Sequence, residues 1–379
     1  MADPEEFRAR LRDWLARVDR PEGLHDYGPT PTVDDVPAGR AWQRLLADAG
    51  YACLHWPAEY GGPAASVAEQ AVFAKETARA GFPRQLNIMG PDLVGPVIMK
   101  FGTPAQRATY LEPIRTGEHL WCQLFSEPGA GSDLASLRTR ARPEGEFWVI
   151  DGQKVWTSAA QCSELGILLA RTGAGHGGIT AFIVDMALPG ITVRPLRQMD
   201  GESKFNEVFL DGLRLPDSAR LGAVGGGWSV ATATLGRERL SLGANSVGQF
   251  RALTDIAGAA RQRGSLDPLL RDELVHAWIR VWLLRATWLR ALGGGGDLTS
   301  TAFSVLKLIS SGAQRDIGEL GLAALGEELT AGDRHRALAH RLLIGPAQTI
   351  LGGTTEIQRN VLAERVLDLP REPRTREVS

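Results

Sequence analysis

The sequence predicts an α+β chain in three successive parts: an N-terminal helical domain over 1–118, a middle β domain over 119–222, and a C-terminal helical bundle with a short polar tail over 223–379. Three observations predict it. Apolar residues recur at helical spacing through the first third. Short runs of β-branched and aromatic residues, separated by turn formers, then take over. From about residue 228 the 3.6-residue period returns and persists in long segments with short joints.

In the first part, Glu5–Val18 sets Phe7, Leu11, Trp14, Leu15 and Val18 on one helical face, and Arg40–Ala49 repeats the pattern with Trp42, Leu45 and Leu46. The stretch HWPAEYGGP breaks the chain with two prolines and a glycine pair. Ser66–Ala80, Asp92–Met99 and Pro104–Arg115 read as further helices. The last has proline in its first turn and is ended by Gly117. The expected strands are Leu120–Phe125, Phe147–Ile150, Leu165–Ala170, Thr180–Val184, Ile191–Val193 and Asn206–Leu210. Gly145, Asp151-Gly152, Gly175–Gly178 and Pro189-Gly190 read as the turns between them. In the third part, Leu235, Leu242, Gln249 and Leu253 belong to one long helical segment, and Leu274, Trp278, Val281, Trp282, Arg285 and Leu289 trace another. Phe303–Leu325 and His335–Leu351 follow. A last helix runs from Thr354 to about Leu369, where Pro370 stops it. The Gly293–Gly296 run reads as a joint between helices.

Composition narrows the function. At 379 residues and 44% hydrophobic content the chain can bury a large core, and its net charge of -2 lacks the basic footprint of a nucleic-acid binder. Cys53, Cys122 and Cys162 are odd in number and form no CxxC, so they read as reduced thiols of a cytoplasmic protein, and no metal site is expected. The acidic N-terminus does not resemble a signal peptide, and no run of 18 apolar residues points to membrane insertion. Arg138–Arg142 and Arg371–Arg376 are short and read as ordinary surface. No GxGxxG follows a strand and opens a helix, which argues against a Rossmann oxidoreductase.

Four segments have residues suited to chemistry. In QLFSEPGAGSD (123–133) a Pro-Gly loop follows a strand. Its backbone N–H groups and the hydroxyls of Ser126 and Ser132 can converge on a ligand, or the segment is a tight surface turn. In KVWTS (154–158) Trp156 stands among hydroxyl residues, an arrangement that covers a planar ring or fills a β core equally well. In LGRERLSLG (235–243) the helical neighbours of Glu238 at three and four residues are Thr234, Leu235, Ser241 and Leu242, none charged. Burial on such a face raises a carboxylate's pKa and suits it to general-base work; pairing with a distant arginine is the other reading. In LGGTTEIQRN (351–360) Thr354 can cap the final helix, whose open N–H groups favour an anion or a polarised ring edge, while Glu356 also suits a plain first-turn position.

On these segments the chain resembles the acyl-CoA dehydrogenase family over about residues 5 to 370. The motifs are HWPAEYGG (55–62), FGTPAQRATYLEPIRTGE (101–118), QLFSEPGAGSD (123–133), DGQKVWTS (151–158), FNEVFLDGLRLP (205–216) and GGTTEIQRN (352–360). It is most similar to actinobacterial members, some of which act on steroid or other bulky acyl-CoA esters. The resemblance implies the family fold and FAD as cofactor. It implies that Ser126 and Ser158 hydrogen-bond the flavin ring, that Trp156 packs on it, and that Gln123 and Phe125 line the cavity. Thr354 and Glu356 match positions at the cofactor; Gly131, Ser132 and Arg239 match positions at the substrate and its CoA portion. Many members carry a catalytic glutamate where this chain has Gly352. A minority, similar to isovaleryl-CoA dehydrogenase, carry it directly before an arginine on the first long C-terminal helix, and Glu238-Arg239 fits that pattern.

Two departures stand out. The family's Arg-x-x-Phe-Gly run, whose arginine reaches the FAD diphosphate of a neighbouring subunit, is missing from ARQRGSLDPLLRDE (260–273), and a glutamine and Gly-Gly pair near the adenine are replaced within 322–328. The expected activity is FAD-dependent α,β-dehydrogenation of an acyl-CoA thioester with Glu238 as base. An electron-transferring flavoprotein is expected to reoxidise the flavin, and the chain to assemble as a homotetramer or as a heterotetramer with a related subunit. A noncatalytic partner of such a heteromer, and a flavin monooxygenase or oxidase on the same fold, are the competing readings.

Overall fold

The computed structural model describes residues 4–28, 30–241, 246–293, 302–332 and 334–371, without the side chains of 237–241, 292–293 and 302–303. The chain divides into two compact units, Met1–Leu235 and Gly236–Ser379. The three-part architecture expected from the periodicities is present: helices, then a β-sheet, then a helical bundle.

The first unit opens with α1 (Pro4–Arg17), α2 (Val36–Asp48) and α3 (Val67–Arg79). Ser66 caps α3 by accepting from the Glu69 N–H while the Glu69 carboxylate returns to Ser66, a reciprocal capping box. A π-helical stretch, Met89–Val94, leads into α4 (Gly95–Phe101), and α5 (Pro104–Thr116) ends at Gly117 with a left-handed φ of +77°. Trp42 is fully buried, stacks on Phe82 with centroids 4.6 Å apart, and donates its Nε1 hydrogen to Pro83 O at 3.1 Å.

The sheet follows: β1 (Trp121–Leu124), β2 (Arg140–Glu144), β3 (Phe147–Ser158), β4 (Leu165–Arg171), β5 (Ile179–Asp185), β6 (Ile191–Leu196), β7 (Phe205–Pro216) and β8 (Arg220–Leu221). Its order is β6-β7-β3-β2-β4-β5-β8, with β1 laid parallel on β4. Strand β4 is buried on both faces, which explains its unbroken apolar run. Ile167 and Leu169 join the helical core with Trp42 and Ile98; Leu168 and Ala170 join a second core with Phe182 and Leu213.

Two sequence expectations need correction. Asp151-Gly152 is no turn, because β3 runs through it with a register shift between Ile150 and Gly152; a Cβ on Gly152 would lie 2.8 Å from the Thr139 Cα. Arg138–Arg142 is more than plain surface, since Arg140–Glu144 forms β2, with Ala141 buried and the arginines exposed around it.

The second unit contains the end of α6 (Gly227–Ser241), then α7 (Ser246–Arg263), α8 (Pro268–Gly293), α9 (Ala302–Leu325), α10 (Arg336–Gln348) and α11 (Thr355–Arg365). Leu242 and the Gly294–Gly296 part of the glycine run lie outside the described residues. Helix α9 packs against α7, α8, α10 and α11. Leu253, Ile256, Val281, Ile317, Leu320 and Leu338 fill the space around it. No helix among the described residues is long and apolar enough to cross a membrane. Cys53, Cys122 and Cys162 are free thiols, the first two buried.

Asn87 ties the helices to the sheet within the first unit. It is buried, left-handed at φ +48°, and works as a fork on β1: its Nδ2 donates to Trp121 O at 3.0 Å, while its Oδ1 accepts from Trp121 N at 2.9 Å and from Gly90 N at 3.2 Å. Asn87→Ala takes the side-chain partner from two buried backbone groups, Trp121 N and O, while Gly90 N keeps its bond to Asn87 O at 3.0 Å; it is expected to cost about 3 kcal/mol of stability, read by urea unfolding, and a change below about 1 kcal/mol would show the fork to be dispensable.

Candidate active site

The site residues expected from the sequence fall into both units. Gln123, Phe125, Ser126, Trp156 and Ser158 gather where β1 meets β3, and Gly131 and Ser132 lie on the adjoining loop. Thr354 and Glu356 open α11, and Glu238 and Arg239 belong to α6, with side chains outside the described set.

Trp156 is the most unusual residue of the corner. Along β3, Lys154 pairs with Val208 and Thr157 with Asn206, so Val155 and Trp156 together oppose Glu207 alone. This is a β-bulge, and it turns the indole outward. The backbone of Trp156 is left-handed at φ +60°, a conformation costly for a bulky residue, and the side chain is 57% exposed. Phe205 meets the indole edge-on, with centroids 6.1 Å apart. Strain and exposure of a large aromatic ring both oppose stability, so their coincidence points to function.

The facing loop is equally specific. Glu127 and Ala130 exchange two backbone hydrogen bonds of 3.1 and 3.0 Å, closing a tight turn over Pro128-Gly129. A Cβ at Gly129 or Gly131 would meet nothing within 4 Å, so the loop backbone is open to approach. Under the turn, the Glu127 carboxylate accepts from Lys154 Nζ at 2.8 Å, Thr139 N at 2.9 Å and Arg138 N at 2.6 Å. Lys154 also donates to Phe125 O at 3.0 Å, and the Val155 N–H donates to Ser126 O at 2.9 Å. Burial works to raise the Glu127 carboxyl, but the Lys154 charge and these hydrogen bonds outweigh it and hold it below the usual range. Burial pushes the Lys154 ammonium down to about 8, against the pull of Glu127. Glu127 and Lys154 lie inside the two motifs, but neither stands out in the sequence as a site residue. The one available signal was a lysine placed among strand-forming residues with a glutamate in the other motif.

A planar cofactor with a hydrogen-bonding edge fits this corner. The side chains of Gln123, Ser126 and Ser158 are half-buried and have no hydrogen-bond partner among the described residues. They stand in the corner that presents the Trp156 indole, and their donors and acceptors remain available.

In the second unit, Thr354 caps α11 by accepting from Ile357 N at 3.2 Å. Gly352 and Gly353 are left-handed, at φ +66° and +94°, and the fully buried Gln358 donates back to Gly352 O at 3.3 Å. At φ +94° a side chain on Gly353 would be strained, and its Cβ would sit 2.5 Å from Gln358 Nε2, so the turn favours glycine. Glu356 is exposed; its own backbone N–H and then Thr354 hold its carboxyl below the ordinary range.

Models of the acyl-CoA dehydrogenase N-terminal, middle and C-terminal domains match residues 2–118, 122–213 and 225–367. The chain is 42% identical over 387 residues to acyl-CoA dehydrogenase IpdE1 of Mycobacterium tuberculosis, covering 98% of this chain and 99% of that protein. Among solved structures it is similar to the Tcur3481-Tcur3483 steroid ACAD, at 28% identity and a TM-score of 0.84 over 97% of this chain and 98% of that one. It is also similar to the ChsE4-ChsE5 complex from Mycobacterium tuberculosis, at 26% identity and a TM-score of 0.82 over 98% and 99%. The chain belongs to the acyl-CoA dehydrogenase family, and its cofactor is FAD.

Trp156→Gly tests whether the bulge serves the cofactor. Glycine relieves the left-handed strain and removes a mostly exposed ring, so stability is expected to stay within about 1 kcal/mol of wild type. FAD affinity, measured by titrating the apoprotein, is expected to fall. Unchanged affinity would make the indole a bystander.

Proposed function

We propose that the chain dehydrogenates an acyl-CoA thioester to the 2-enoyl-CoA, with Glu238 as the base that takes the α proton. The observation that carries this reading is the strained, outward-facing Trp156 beside the side chains of Gln123, Ser126 and Ser158, which have no hydrogen-bond partner among the described residues, in a chain of this family. When bound, FAD supplies the acceptor for the β hydrogen and its electron pair. In this reading Trp156 packs on the ring, Ser126 and Ser158 hold its edge, and Gln123 and Phe125 line the cavity. Thr354 and Glu356 meet the cofactor from the start of α11. Gly131, Ser132 and Arg239 hold the CoA portion.

The α hydrogen of a thioester is weakly acidic, and a carboxylate shielded from water is a stronger base for it. Glu238 suits this because its neighbours three and four residues away carry no charge. The position that bears the glutamate in many relatives is Gly352 here, and its left-handed backbone favours glycine. We assign the substrate to the bulky acyl-CoA esters, on the strength of similarity to a structure described as a steroid ACAD. We further assign the protein to the cytoplasm and its reoxidation to an electron-transferring flavoprotein.

Anaerobic titration with a panel of acyl-CoAs tests the reaction and the residue together. Wild type is expected to lose its flavin absorbance, and Glu238→Gln to react about 10²- to 10⁴-fold more slowly while still holding FAD. An unchanged rate in E238Q would move the base elsewhere, including onto a partner chain. That outcome would favour the second reading, a noncatalytic subunit of a heteromer, which draws on the missing Arg-x-x-Phe-Gly run within 260–273.

Assembly is part of the proposal. Val275, Trp278, Ile279, Trp282 and Leu289 form an exposed apolar stripe at helical spacing on α8. A homotetramer, or a heterotetramer with a related subunit, would cover it. Trp282→Asp is expected to lower the mass seen by light scattering at micromolar concentration; an unchanged mass would take α8 out of the interface.

A further inference from the structure

Lys154 is fully buried and Glu127 only 7% exposed. Removing two charges from water costs more than their attraction reliably returns, and apolar side chains of similar volume often serve stability as well or better. The value of this pair lies in what it holds. Lys154 and the following residue fix three consecutive residues of the loop: Nζ holds Phe125 O at 3.0 Å, Val155 N holds Ser126 O at 2.9 Å, and Nζ holds Glu127 Oε1 at 2.8 Å. Glu127 in turn holds the N–H groups of Arg138 and Thr139, where the chain enters β2. One carboxylate therefore closes the segment between Glu127 and Arg138, which contains the loop with Gly131 and Ser132. Trp156, in its left-handed bulge, is two residues from the ammonium.

We propose that Lys154 and Glu127 are positioning residues for the flavin site: their buried ion pair sets the register between the loop bearing Ser126 and the bulge bearing Trp156. The proposal rests on the flavin reading of this corner. The pair acts through Ser126 and Trp156, whose hydroxyl and indole it holds at one mutual spacing. An apolar pair would fill the same volume, but it would supply neither the ammonium donors for Phe125 O nor the carboxylate acceptor for the N–H groups of Arg138 and Thr139.

The test compares full-length wild type with Lys154→Met and Glu127→Gln by hydrogen–deuterium exchange and by FAD titration of the apoprotein. Circular dichroism at low temperature identifies which variants remain folded. Faster exchange is expected at Arg138, Thr139 and Val155 and unchanged exchange in β4 and β5. FAD affinity is expected to fall about tenfold to a hundredfold, as for other small misplacements of a binding group, with a shifted flavin absorbance maximum. A role in stability alone would leave affinity and absorbance maximum as in wild type once the protein is folded. That result, in whichever variant folds, overturns the proposal. If wild type itself takes up no FAD, the flavin reading fails. The lock is then judged by exchange alone, and unchanged protection at Arg138, Thr139 and Val155 overturns it.

Discussion

Strand β1 is four residues long, and a single parallel ladder to β4 is a weak hold on so short a segment. The first unit's site depends on the other groups that seize it. Asn87 grips Trp121 from the helical side with two hydrogen bonds, copying the pairing of a neighbouring strand. Just past the strand's end, Lys154 and Val155 grip the carbonyls of Phe125 and Ser126. Phe125 is buried in the helical core, so the strand's direction is set by packing as well as by hydrogen bonding. Gln123 and Ser126 are held at defined places because the backbone that bears them has little freedom left.

The same corner concentrates features that folding alone would avoid. A tryptophan is held left-handed and exposed, a lysine is fully buried, and three half-buried polar side chains have no hydrogen-bond partner among the described residues. Each opposes stability, and the surrounding structure must over-determine them to hold them in place. The two apolar cores that share β4 supply that rigidity, since the strand between them cannot shift without disturbing both. Placing the candidate site beside such a strand, on β1 and β3, fixes geometry at the cost of some stability, a common arrangement in enzymes.

The second unit contributes different chemistry. The start of α11 is a glycine turn that Gln358 closes from inside, with Thr354 as its cap. A turn so closed offers backbone N–H groups and a hydroxyl in fixed directions, and its left-handed backbone at Gly353 disfavours any side chain there. In the proposed reading the proton acceptor lies on α6 and not in this turn, so each can be shaped without the other. That separation is the physical content of the Glu238 proposal.

The sequence by itself determined the order of the parts, because helical and strand periods are local and survive in the apolar pattern. It also revealed the two motif segments of the first-unit corner, since hydroxyls, glycines and an indole in such density are rare. It concealed β2, because Arg140 and Arg142 flank a single buried Ala141 and the strand reads as charged surface. The outward turn of Trp156 was equally hidden: a bulge exists only relative to the partner strand, and its register against β7 is not a local property. The partnership of Lys154 with Glu127 spans 27 residues and joins a strand to a loop. Either residue alone reads as solvated, and only tertiary structure brings them together, because burying one charge is tolerable only where the fold delivers the other.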